Sequence, residues 1–160
     1  MKFKILMICL GNICRSPLAE EIMRSKIYKA KLEDNVFVDS AGTSSHHQGS
    51  LPDRRSCEIA LKFGLKLNHL SRPLEVGDFE EFDLLLVMDE SNQNEAKKKS
   101  SLEIHFSKIH LITSIDSRSG APNHVPDPYW SEIEDFEKMY HQLDYCCEQW
   151  LNKISTNFKV

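Results

Sequence analysis

Four short segments of the chain are apolar enough to be strands: residues 3–9 (FKILMIC), 35–39 (NVFVD), 82–88 (FDLLLVM) and 109–113 (IHLIT). Three of them are near-continuous apolar runs rather than alternating ones. That pattern belongs to strands covered on both faces, as in a parallel sheet. Between them the apolar positions recur at helical spacing. Ser16 and Pro17 read as N-cap and first-turn residues, followed by a stripe of Leu18, Ala19, Ile22 and Met23. A second helix is expected from about Pro52 to Gly64, with Cys57, Ala60 and Leu61 facing inward. A third follows MDESN and ends on Lys97, Lys98 and Lys99, cations that suit the negative end of a helix dipole. In the last, Ser131 and Glu134 form a capping box, and Ile133, Phe136, Tyr140, Leu143, Cys147, Trp150 and Leu151 share one face.

Strands alternating with helices imply right-handed βαβ units and an α/β fold with a doubly wound parallel sheet. Two irregular stretches interrupt it, residues 40–51 (SAGTSSHHQGSL) and 114–130 (SIDSRSGAPNHVPDPYW). Long loops in a compact domain are usually functional. In this architecture ligands bind beyond the carboxyl ends of the strands, where both loops belong.

Composition narrows the classes. A chain of 160 residues is one domain, and 41% hydrophobic with 28% charged residues is ordinary for a globular protein. A net charge of −4 argues against nucleic acid or a membrane surface as partner. No segment is long enough to span a bilayer. Lys2 and Lys4 before ILMICL do not make a signal peptide, because GNICRS interrupts the apolar stretch. The five cysteines are odd in number and lack Cys-x-x-Cys spacing, so neither a zinc ribbon nor a disulfide scaffold is expected. Reduced thiols in the cytoplasm are the default.

The chemistry sits in CLGNICRSP, residues 9–17. A loop from a strand into a helix N-terminus can turn its backbone N–H groups inward as an anion nest, aided by the helix dipole. Gly11 permits a sharp bend and Asn12 tolerates a left-handed backbone. Arg15 offers a planar fork for two phosphate oxygens. A Cys9 thiolate at the bottom of that field is stabilised as a nucleophile. The segment is not a nucleotide P-loop, which needs Lys-Ser/Thr after its last glycine. A phosphorylated thiolate needs an acid for the leaving group, and Asp127, stiffened by Pro126 and Pro128, is the best candidate. Tyr129 and Trp130 follow as walls for an aromatic substrate.

These motifs, with DSAGTSS at 39–45, NHLSRP at 68–73, VMDESN at 87–92 and DPYW at 127–130, resemble the low-molecular-weight protein tyrosine phosphatases along essentially the whole chain. The resemblance implies one phosphatase domain over residues 1–160, flavodoxin-like, with a four-stranded parallel sheet of order 2-1-3-4 and helices on both faces. It implies Cys9 as nucleophile, Arg15 as phosphate ligand and Asp127 as general acid and base, with Leu10, Gly11, Asn12, Ile13, Cys14 and Ser16 completing the phosphate-binding loop. Ser40 and His69 would join Asn12 in a network that holds the loop, and Ser16 would assist the departing thiolate. Phosphotyrosine proteins are the implied partners, phosphate and other oxyanions the products or inhibitors, with no metal or other cofactor. The resemblance further implies a reversible Cys9–Cys14 disulfide under oxidation. One departure from the family falls at His46, where a tryptophan wall is common; His46, Tyr129 and Trp130 are the expected walls.

Two rival readings carry less. A thiol-dependent arsenate reductase shares the loop but needs further redox cysteines on a mobile segment, and Cys57, Cys146 and Cys147 are all predicted on helices. A non-catalytic phosphopeptide module would not need Cys9, Arg15 and Asp127 together. His46, His47 and His124 lack the spacing of a metal site.

Overall fold

Alternate residues of the first apolar run go to opposite faces of a sheet, as a strand requires. In the computed structural model, which describes residues 1–158, this run is strand β1 (Phe3–Cys9). Ile5 and Met7 point into one core, Leu6 and Ile8 into a second. β1 pairs in parallel with β2 (Val36–Gly42) on one side and β3 (Leu84–Val87) on the other, and β4 (Ile109–Leu111) follows β3. The order is β2-β1-β3-β4, as expected.

Helices α1 (Arg15–Lys29), α2 (Arg54–Lys62) and α5 (Ile133–Ser155) cover the first core. The short α3 (Asp78–Glu81) and α4 (Glu90–Ser100) cover the second. α5 buries Phe136, Leu143, Cys147, Trp150 and Leu151 as its pattern predicts, and adds Met139, Cys146 and Ile154. The Trp150 indole N–H donates to the Ile112 carbonyl at 2.8 Å, fastening α5 to the end of β4. Among the described residues no helix is long and apolar enough to cross a membrane.

Several boundaries differ from the sequence expectation. β2 runs on to Gly42 because its ladder with β1 continues until Cys9 meets Gly42. Ser40 is therefore a strand residue and not part of a loop. β3 and β4 are shorter than their apolar runs. Phe82 precedes β3 at the end of α3, which the pattern does not announce, and Ile112–Ile115 forms a 3-10 turn after β4. α1 starts at Arg15 with Cys14 at the cap position, so Ser16 does not cap it. Pro17 still lies in the first turn, where its missing N–H costs nothing. α2 starts at Arg54 behind Asp53, whose carboxylate accepts from the Arg55 N–H at 2.8 Å. That phase buries Ser56, Ile59 and Ala60, leaves Cys57 half-buried and turns Leu61 out to solvent. The Ser131–Glu134 capping box does not form. Ser131 donates its N–H back to the Pro128 carbonyl, and Glu132 occupies the cap position. Ile133 and Tyr140 are only partly buried; Tyr140 stacks on Phe63 at 4.0 Å.

All four strands end on one edge, so the segments after Cys9, Gly42, Val87 and Leu111 converge there. The first core is built on α5, and Leu143 is fully buried in it. Leu143→Ala should lower the unfolding free energy by about 2–5 kcal/mol, read from urea denaturation.

Candidate active site

The segment from Cys9 to Cys14 is held by its carbonyls. The Cys9 carbonyl accepts from Thr43 N–H and the Leu10 carbonyl from Ser44 N–H, both at 2.9 Å. The Gly11 carbonyl accepts from the Ser71 hydroxyl at 2.9 Å. The Ile13 carbonyl accepts from Asp53 N–H at 2.7 Å, and the Cys14 carbonyl from the Ser56 hydroxyl at 3.1 Å. In a trans peptide the C=O of one residue and the N–H of the next point in opposite directions. Donors outside the loop therefore pull the carbonyls outward and turn the N–H groups toward the loop's centre. The Asn12 N–H does point there, at 3.3 Å from Cys9 Sγ.

Asn12 is the one loop residue with a left-handed backbone (φ 55°). Its buried carboxamide is fully used. Nδ2 donates to Ser16 Oγ at 2.7 Å and to Ser40 Oγ at 3.0 Å. Oδ1 accepts from the Arg72 N–H at 3.0 Å and lies 2.7 Å from His69 Nε2. Ser16 Oγ is also 3.0 Å from Cys9 Sγ. Gly11 has no positive φ; it is small because His47 packs on it, and an added Cβ would sit 2.9 Å from the imidazole Cδ2. Gly42 is tighter still. A Cβ there would lie 2.8 Å from the Leu10 carbonyl oxygen and 3.1 Å from Asn12 Cβ.

Arg15 is 2% exposed, and its charge is balanced on one side. Nη1 donates to Asp89 Oδ2 at 2.7 Å and to the Val125 carbonyl at 2.9 Å. Burial pushes the guanidinium toward deprotonation, but Cys9, Asp89 and Asp127 more than offset it, so the group stays firmly cationic. Among the described residues Nη2 has only the looser ion pair with Asp127 Oδ2 at 3.7 Å. That edge of the fork is available to a ligand. Asp89 also accepts from Asn92 N–H through Oδ1 and so caps α4.

Cys9, Arg15 and Asp127 face one cavity of about 490 Å³. Its mouth is formed by Leu10, Ile13, His46, His47, Tyr129 and Trp130. The aromatic rings run in sequence around it: His46 to His47 at 4.8 Å, His47 to Tyr129 at 6.3 Å, Tyr129 to Trp130 at 4.8 Å. Trp130 is 93% exposed. Arg55 clamps the segment that carries the acid, donating to the carbonyls of Tyr129 (2.9 Å) and Ser131 (2.8 Å) with its guanidinium over the Phe136 ring. Cys14 lines the same cavity but is buried, and burial, with Asp53 and Cys9 nearby, pushes its thiol far above the ordinary range. It stays protonated.

A sequence profile of the low molecular weight phosphotyrosine protein phosphatases matches residues 4–160. The chain belongs to this family. A phosphatase of the family from Gallus gallus is 39% identical over 150 residues, 93% of this chain and 94% of its own length. A protein tyrosine phosphatase structure from Entamoeba histolytica, described with Hepes in the active site, superposes with a TM-score of 0.93 at 32% identity, covering 99% of this chain and all of that one. A Drosophila structure described as an arginine phosphatase superposes with a TM-score of 0.87 at 35% identity, covering 96% and 98%.

Within this phosphatase family member, the residues expected around the loop converge. Cys9, Leu10, Gly11, Ile13, Cys14, Arg15, His46, Asp127, Tyr129 and Trp130 line the cavity, and Asn12, Ser16, Ser40 and His69 form the network behind it. His46 is solvent-exposed, and its neighbour His47, not expected as a wall, is the one packed on the loop. Further contributors not expected from sequence include Gly42, Asp89, Arg55 and Asp53. Asp89 had a legible signal, an acid at the carboxyl end of a strand opening a helix. Gly42 had none beyond its place after Ser40. Because a Cβ at Gly42 meets backbone, Gly42→Ala should displace the loop and lower kcat/KM by about 10²-fold, with a smaller effect on the unfolding midpoint. Steady-state kinetics beside thermal denaturation would read this.

Proposed function

We propose that this phosphatase hydrolyses phosphotyrosine through a phosphocysteine on Cys9. The observation that carries the reading is the single cavity in which inward N–H groups and Arg15 surround Cys9 while Asp127 stands at the mouth. The dianionic phosphoryl group enters the nest and takes the open edge of the Arg15 fork. Cys9 attacks phosphorus in line, and Asp127 protonates the departing phenolate oxygen. The ionised Asp127 then takes a proton from water, which attacks phosphorus, breaks the S–P bond and releases phosphate. The Ser16 hydroxyl, 3.0 Å from Sγ, stabilises the thiolate as it departs. Positioning and charge stabilisation supply most of the rate, so the chain's own residues suffice for each step.

The mouth favours an aryl ester. Its walls are aromatic or aliphatic, and Asp127 is the only carboxylate among the lining residues. A phosphoarginine side chain would bring a guanidinium with no second acid to receive it. Proteins bearing phosphotyrosine are the partners this implies. All five cysteines are free thiols, in keeping with a reducing compartment such as the cytoplasm.

Cys9→Ser should abolish turnover of a phosphotyrosine peptide. Asp127→Ala should lower kcat by about 10²–10⁴-fold on the peptide and far less on p-nitrophenyl phosphate, whose leaving group needs no acid. Equal losses on both substrates would remove Asp127 from the acid's role. Faster turnover of a phosphoarginine peptide would replace the substrate class.

The second thiol supports a redox device. Peroxide oxidises the Cys9 thiolate to a sulfenic acid, and the Cys14 thiol condenses with it, forming the disulfide and releasing water. Because burial keeps Cys14 protonated, it acts only after Cys9 is oxidised. Peroxide-inactivated enzyme should recover with dithiothreitol, and Cys14→Ser enzyme should not; equal recovery would sink the switch.

A further inference from the structure

Asp127 sits in a stretch that can hardly fasten itself. Proline has no N–H, so Pro126 and Pro128 leave this segment few donors. The Asp127 side chain is 43% exposed. Among the described residues its carboxylate is met by the Tyr129 N–H at 3.1 Å and, more loosely, by Arg15 Nη2 at 3.7 Å. The first of these bonds is local, so the carboxyl goes where its own backbone goes. Its position is set by whatever grips that backbone on either side.

Two arginines do so. Upstream, the Val125 N–H donates to the Met88 carbonyl at 2.8 Å, and the Val125 carbonyl accepts from Arg15 Nη1 at 2.9 Å. Downstream, the Tyr129 carbonyl accepts from Arg55 Nη2 at 2.9 Å and the Ser131 carbonyl from Arg55 Nη1 at 2.8 Å. Among the described residues, no element other than α2 hydrogen-bonds to the backbone from Pro126 to Ser131.

Arg55 is itself held rigidly. Asp53 Oδ1 accepts from its Nε at 3.1 Å and its backbone N–H at 2.8 Å, and Oδ2 accepts from Nη2 at 3.0 Å. These bonds to Asp53 keep the guanidinium firmly cationic. Its carbon lies 4.4 Å from the centre of the Phe136 ring. One planar fork thus joins a carboxylate to two carbonyls, which the ammonium of a lysine cannot do. Asp53 also donates its N–H to the Ile13 carbonyl at 2.7 Å. The start of α2 is therefore a bracket, with the oxyanion nest on one arm and the acid segment on the other.

We propose that Arg55 is a positioning residue for the acid step: it grips the Tyr129 and Ser131 carbonyls and through them places Asp127 at the departing oxygen. The inference rests on Asp127 being the acid of a phosphocysteine mechanism. As the Cys9 Sγ–P bond forms and the P–O bond breaks, the Asp127 proton passes to the leaving oxygen, and that transfer needs hydrogen-bond reach. Without the fork the acid segment keeps its tie at Val125 alone, and the exposed carboxyl drifts out of reach. The nest keeps its shape, because backbone N–H groups and hydroxyls hold its carbonyls. Esters with poor leaving groups therefore suffer most.

Steady-state kinetics on a series of aryl phosphates, from p-nitrophenyl phosphate to phenyl phosphate, would test this. The quantity to read is kcat/KM, which includes only the steps up to P–O cleavage. Arg55→Lys should lower it by about 10²-fold on phenyl phosphate and far less on p-nitrophenyl phosphate. In the Asp127→Ala background the same substitution should cost little further, because Arg55 acts through Asp127. Unchanged kinetics, a loss of equal size across the series, or an undiminished loss in the Asp127→Ala background would overturn the proposal. Asp127→Ala alone tests the acid separately. If it keeps the parent enzyme's dependence on the leaving group, the acid assignment fails and the role of Arg55 with it. If it steepens that dependence and Arg55→Lys does not, only the role of Arg55 falls. Should Arg55→Lys fold poorly, Arg55→Gln measured in both backgrounds gives the same reading.

Discussion

The site depends on the outward fastening of five carbonyls. An oxyanion nest has no intrinsic stability, because parallel N–H dipoles repel each other until an anion arrives. Here Thr43, Ser44, Ser71, Asp53 and Ser56 supply donors on the outside, and each bond fixes one peptide plane. Asn12 then closes the curve by accepting the one left-handed backbone and bonding four neighbours through its side chain. The cost of preorganisation is met during folding, before a substrate arrives.

Those donors come from three different parts of the chain, and the sheet brings them together. The β1–β2 ladder carries Gly42 level with Cys9, so the segment after β2 runs along the outside of the loop. The 69–74 segment is tied to the Gly42 N–H through the Arg72 carbonyl and to the Gly42 carbonyl through the Leu74 N–H, and it reaches Asn12 from behind. Asp53 and Ser56 arrive at the start of α2. Val125 bonds back to Met88 and also receives Arg15, so the acid-bearing segment is registered to β3 and to the loop at once. Parallel topology makes this possible, since every strand ends on the same edge.

Much of this was legible in the sequence because it follows from period and spacing. The apolar runs gave four strands, and the Cys-x5-Arg segment between strand and helix pointed to an anion-binding nucleophile. What escaped depends on pairing across long sequence distances. The extension of β2 through Ser40 is set by its neighbour β1 and not by its own polar composition. Asp89 as the partner of Arg15 rests on a contact 74 residues apart. Ser16 and Ser131 both looked like helix caps, since a serine before an apolar stripe has that local signature. Other neighbours claimed them instead, Cys9 and Asn12 of the loop in one case and a turn with Pro128 in the other.

Asp89 spends one oxygen on the first turn of α4 and the other on the guanidinium of Arg15. Fraying of that turn and misalignment of the arginine are thus a single event. A helix end opens far more readily than a whole domain unfolds. Local opening at the start of α4 would therefore misalign Arg15 while the two cores stay intact.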